Sequence, residues 1–117
     1  MKSLLRIALV GMALVLFSEM AWAVWIRGGV SCGAWVEARE KEKKGDEFDS
    51  WIARRWLVGF LSGLAYGENK EFWGIPNVSS LNTETVFLWM DNYCQANRLN
   101  EIGDGAEKLF DERTRKK

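Results

Sequence analysis

Apolar positions along the chain fall into helical periods over four stretches and into one unbroken run near the start. The run is Ile7 to Phe17 (IALVGMALVLF), without a charge and preceded by Lys2 and Arg6. The first periodic stretch covers 32–44 (CGAWVEAREKEKK), opening on Cys32 and Trp35 and ending almost wholly charged. Glu37/Lys41 and Glu40/Lys44 stand at the i,i+4 spacing that supports a helix; Ser31 is placed to cap it and Gly45 to stop it. The second runs from Trp51 to about Tyr66, capped by Asp49 or Ser50. Its apolar residues, among them Trp51, Ile52, Trp56, Leu57, Phe60 and Leu61, cover more than half the circumference, which predicts the central and most buried element. The third starts at Asn82 or Thr83 and runs to about Ala96, with Val86, Met90 and Tyr93 on one face beside Phe87 and Cys94. The fourth is capped by Asn100 and carries Ile102, Ala106, Leu109 and Phe110 as a stripe, with Gly103 and Gly105 weakening its first turn. With a single proline, Pro76, and few alternating β-branched residues, the pattern predicts an all-α, small four-helix domain.

Gly59, Gly63 and Gly67 recur every four residues along the second helix. Each costs ~1 kcal/mol against Ala in a helix interior, so a compensating contact is expected. Close packing of another helix in the core is the favoured reading, and a homodimer contact is the second. A membrane-type glycine motif does not fit a segment that contains Arg54 and Arg55.

The unbroken run changes the boundaries of the domain. Lys2 and Arg6, the apolar run, and Ala21 and Ala23 at the −3 and −1 positions form a signal peptide over 1–23, with cleavage predicted after Ala23. An uncleaved anchor is the other reading, but Ile7 to Ile26 barely reaches the ~20 residues needed to span a bilayer, and Glu19 interrupts it. The predicted mature chain, 24–117, is a single helical domain in a bacterial periplasm. It contains two cysteines, Cys32 and Cys94, an even count in an oxidising compartment. A disulfide between them is expected, closing a loop of about 62 residues worth ~4 kcal/mol in the chain-entropy model.

Charge and composition exclude more than they suggest. The full chain has 16 basic and 16 acidic residues; without Lys2, Arg6 and Glu19 the balance is close to −1. Neither a nucleic-acid groove nor a polybasic membrane patch is expected from that balance. The absence of histidine removes Ser-His-Asp triads, Cys-His dyads and histidine-containing metal sites. No cofactor or metal is expected, and no nucleophile motif or phosphate loop is present. Glu84 and Asp91 lie on one helix seven residues apart, where capping and solvated-surface roles account for them better than acid–base chemistry. The chain reads as a non-enzyme.

Aromatic residues are the unusual feature. The predicted mature chain holds six Trp, five Phe and two Tyr. Most such residues build core, but Trp25, Phe72 and Trp73 fall on predicted loops or ends. They are either core or the anchors of an interface, and are the candidate partner-binding residues.

At this point SCGAW (31–35), WLVGFLSGLAYG (56–67) and TETVFLWMDNYCQANRLNEIGDGAEKLF (83–110) together resemble small exported proteins of the HdeA/HdeB-like type. In those, cysteines clamp a helical domain around a central helix. More distantly, the same outline is similar to the Tai/Rap-type immunity proteins, periplasmic and often dimeric blockers of cell-wall-degrading toxins. Gly59, Leu61, Gly63, Tyr93 and Cys94 carry the resemblance, which implies structure and transfers no functional residue.

Three functions follow. The first is a module that binds a specific protein partner, immunity- or adaptor-like, through insertion of Phe72 and Trp73 from loop 68–81. The second is an acid-stress chaperone, in which protonation of 15 carboxylates between roughly pH 5 and 3 drives the charge toward +14 and exposes aromatic surface. Lack of histidine confines such a trigger to strong acid. The third is an accessory factor of an envelope secretion or conjugation apparatus.

Overall fold

Capping and periodicity place four helices within a few residues of where the sequence puts them. The computed structural model describes residues 1–8, 26–74 and 80–115. Helix α1 spans Cys32–Lys43, with the Ser31 hydroxyl accepting from the Ala34 amide as its N-cap. Gly45, at φ +95°, ends it in a conformation that favours glycine. Helix α2 spans Phe48–Glu68 and terminates at Asn69 in the left-handed region, φ 52°. Helix α3 spans Thr83–Ala96, with the Asn82 side chain accepting from the Thr85 amide. Helix α4 spans Ile102–Thr114. A further helical segment covers residues 2–8, inside the predicted leader, so the described residues contain five helical segments instead of the four predicted. They contain no strand beyond a single antiparallel bridge between Ser31 and Glu101. The predicted cleavage site and Trp25 lie outside the described residues.

Two of the expected caps are replaced. Neither Asp49 nor Ser50 starts α2, which begins earlier, after Glu47. Ser50 is buried and donates to Glu42 instead. Helix α4 begins after Glu101, whose amide donates to Asp104 Oδ2 at 2.9 Å. Asn100 is used differently: its carbonyl accepts from the Cys32 amide at 2.7 Å and its side chain donates to the Tyr93 hydroxyl at 2.8 Å.

The helices close a four-cornered arrangement in which α1 packs on α2 and α3, and α4 packs on the same two. The core at its centre comprises Trp35, Leu57, Leu61, Phe72, Val86, Met90, Ile102 and Phe110, all fully buried or nearly so. Cys32 at the start of α1 is bonded to Cys94 near the end of α3, with Cα atoms 4.7 Å apart. Among the described residues no helix is long and apolar enough to cross a membrane.

Ahead of α1, residues 26–31 lie across Trp56 and the start of α4. Trp56 Nε1 donates to the Arg27 carbonyl at 3.0 Å, and the Ile102 amide donates to the Val30 carbonyl at 3.0 Å. A Cβ on Gly28 or Gly29 would come within 3.0 Å of the Trp56 indole, and Gly28 holds φ +87°. This strap therefore depends on two glycines that local sequence patterns do not flag.

Candidate functional site

The residues singled out from sequence do not assemble into one site. Phe72 belongs to the core: it has 0% of its surface exposed, stacks on Phe110 at 5.7 Å and meets Trp73 edge-on at 4.9 Å. The cause is a clamp from α4. Arg113 donates to the Phe72 carbonyl and lies over the Phe72 ring, 5.7 Å from its centroid. Glu71 Oε1 accepts from the amides of Trp73 and Gly74 at 2.9 and 3.0 Å, which turns the chain back toward the helices. Those two amides, with that of Phe72, hold the Glu71 carboxyl below the usual range. Trp73 is half-buried on the core and donates through Nε1 to Ser62 Oγ at 3.1 Å. The loop is anchored inward over its described part, not presented as an insertion finger.

The glycine stripe also differs from expectation. A Cβ at Gly59, Gly63 or Gly67 would meet nothing within 4 Å, and all three are exposed. Among the described residues no helix packs closely there, because the inward face of α2 is instead Ala53, Leu57 and Leu61. The close approach in the core occurs at Gly105, where an added Cβ would lie 2.7 Å from the Tyr93 ring and 2.9 Å from Met90 Sδ. Gly105 thus has the packing role that the spacing assigned to the α2 glycines.

Asp91 is structural rather than a solvated-surface residue. Its Oδ1 accepts from Trp35 Nε1 at 2.8 Å and Arg39 Nε at 2.9 Å, and its Oδ2 accepts from Arg39 Nη2 at 3.0 Å. Arg39 continues to Glu42 Oε2 at 2.7 Å, and Ser50 donates to the same oxygen. Arg54 Nη2 reaches Glu42 Oε1 at 3.4 Å. This relay ties α1 to α2 and α3. The Asp91 hydrogen bond, more than the opposing effect of burial, raises Arg39 above its ordinary value. Burial pushes the Glu42 carboxyl up, but the Ser50 hydroxyl and the Arg39 and Arg54 guanidinium groups outweigh it and hold that carboxyl below the usual range. Every charge in the relay is matched, so it offers no group poised to act on a substrate.

A groove of about 510 Å³ opens between α2 and α3, a pair that does not pack closely. Its walls are Trp51, Arg54, Arg55 and Val58 from α2, facing Thr83 and Phe87 from α3. Both arginines lie over aromatic faces: Arg55 is 5.1 Å from the Trp51 ring centroid and Arg54 is 5.6 Å from that of Phe87. Of the wall residues, Trp51 is half exposed, and on the same helix Phe48 and Ile52 are exposed as well, the three keeping 50%, 68% and 43% of their surface in water; Ile52 lies toward α1, outside the groove. Three large apolar side chains at i, i+3 and i+4 form one patch on the helix surface. The sequence counted Trp51 and Ile52 toward a buried α2. A usable signal was present: Arg55, one turn from Trp51 and exposed, marks a side of α2 that meets water.

Among the described residues no group of three or more His, Cys, Asp or Glu side chains converges to hold a metal ion. No protein-family model, curated protein or solved structure matches this chain, so the resemblance to the HdeA/HdeB-like and Tai/Rap-type families rests on its motif residues alone.

Proposed function

We propose that this chain is a non-catalytic periplasmic protein that binds one specific protein partner, in the manner of an immunity protein or adaptor. The observation that carries the reading is the exposed apolar patch of Phe48, Trp51 and Ile52 on α2, of which Trp51 also forms part of the wall of the α2–α3 groove. Large aromatic side chains left in water on a rigid helix cost hydration free energy and are the residue type from which interface anchors are built. The disulfide and the leader-like start support an exported protein. The engaged state of Asp91 and Glu42 supports a role without acid–base chemistry.

Site-specific photo-cross-linking in cells tests the reading, with p-benzoylphenylalanine placed at position 51 and, as a control, at position 43 on the charged end of α1. One discrete adduct from position 51 and none from position 43 is expected. A ladder of many adducts that appears only in strong acid would replace the specific binder with the chaperone. Absence of any adduct at position 51 would sink both.

A further inference from the structure

We propose that the α2–α3 groove receives an acidic segment of the partner that carries an apolar anchor, its carboxylates held by Arg54 and Arg55 and its anchor seated on Phe87 and Val58; this rests on the binding-module reading. Charge complementarity selects that occupant. Among the described residues the walls hold two guanidinium groups and no carboxylate. Arg55 makes no ion pair among the described residues. Arg54 shares, at 3.4 Å, a Glu42 already bonded to Arg39 and Ser50.

The ring contacts strengthen the selection. Arg55, held 5.1 Å from the Trp51 ring centroid, keeps its fork of N–H donors for a bidentate carboxylate beside apolar walls, where such a bond is less weakened by water. Arg54, 5.6 Å from the Phe87 ring centroid, directs Nε to the Ser50 carbonyl at 3.4 Å and Nη2 to Glu42, and adds its charge and remaining donors. Gly59, also on the wall, leaves 4 Å of free space where any Cβ would stand, so an incoming chain can approach α2 closely. A second copy of this chain fits less well. An isologous contact centred on the groove would set Arg54 and Arg55 against their own counterparts, like charge on like charge.

The test uses the protein expressed from its full sequence and purified with its disulfide intact. The probe is a short fluorescein-labelled peptide in which Asp and Glu alternate with Leu and Phe, titrated by anisotropy. Two comparison peptides replace the carboxylates by amides or the Leu and Phe by Ala. Binding of the first, with each comparison peptide about tenfold weaker or more, and about tenfold loss on Arg55→Gln, is expected. Arg54→Gln also disturbs Glu42, so Arg55→Gln, which removes no ion pair among the described residues, is the deciding variant. Equal binding of the amide peptide, no binding of the acidic one, or an Arg55→Gln protein that binds as before would each overturn the proposal. In cells, a discrete adduct at position 51 that survives Arg55→Glu would reject the acidic occupant yet keep the binding module. An adduct with the mass of two copies of this chain would reject it in favour of self-association.

Discussion

Asp91 shows how much one side chain can do when two helices converge on it. It accepts from an indole and, bidentately, from the Nε–Nη2 edge of a guanidinium, and these partners lie 56 and 52 residues away in sequence. Asp91→Asn keeps the shape but loses the charge that Arg39 answers. We expect a loss of about 2 kcal/mol in urea denaturation, the scale of a hydrogen-bonded charge pair that retains some solvent contact. Glu84→Gln on the same helix should be close to neutral. Glu42 carries a pH dependence of definite sign. Its folded-state carboxyl is held below its unfolded value of about 4.3. Its contribution is therefore complete above that value and lost as pH falls through the depressed folded one. The stability gap between the native protein and Glu42→Gln should be widest at neutral pH and narrow in acid, read from urea midpoints across pH. A gap that stays constant would contradict the assignment.

At the scale of elements, two kinds of glycine separate. Gly63→Ala places a methyl group in open space on an exposed helix face and removes backbone freedom from the unfolded chain, so it should raise stability by roughly 0.5–1 kcal/mol. Gly105→Ala drives a methyl group into the Tyr93 ring, itself stacked on Trp89 at 5.4 Å, and should lower stability by about 2 kcal/mol. Thermal melts of the two variants check both signs at once. The i,i+4 repeat at Gly59, Gly63 and Gly67 was legible in sequence, but a period identifies a face without saying what lies opposite it. Helix positions were legible for a different reason. Ser31, Gly45 and Asn82 act on backbone groups within three or four residues, so their effect is written locally.

The whole molecule depends on connections that cross the chain. Its disulfide joins residues 62 apart and fixes the start of α1 to the end of α3. Replacement of both Cys32 and Cys94 by Ser should cost ~4 kcal/mol, measured by chemical denaturation against the oxidised protein. Four helices that pack around a ring leave two diagonals, α1 with α4 and α2 with α3, without close packing, and the groove opens along the second. It places Trp51, Arg55 and Phe87 together, although no spacing in the sequence relates α2 to α3.

By itself the sequence determined the helical class, the approximate limits of four helices and the cysteine pair. Caps and periods act over a few residues, and two cysteines allow a single pairing. Tertiary structure decided which side of α2 faces water, that Phe72 is buried rather than offered to a partner, and that Asp91 and Gly105 are structural. Each of these depends on a neighbour distant in sequence: Arg113 for Phe72, Trp35 and Arg39 for Asp91, Tyr93 for Gly105. Helix formation satisfies backbone groups locally, whereas burial is settled only when helices compete for the limited interior that four of them can enclose.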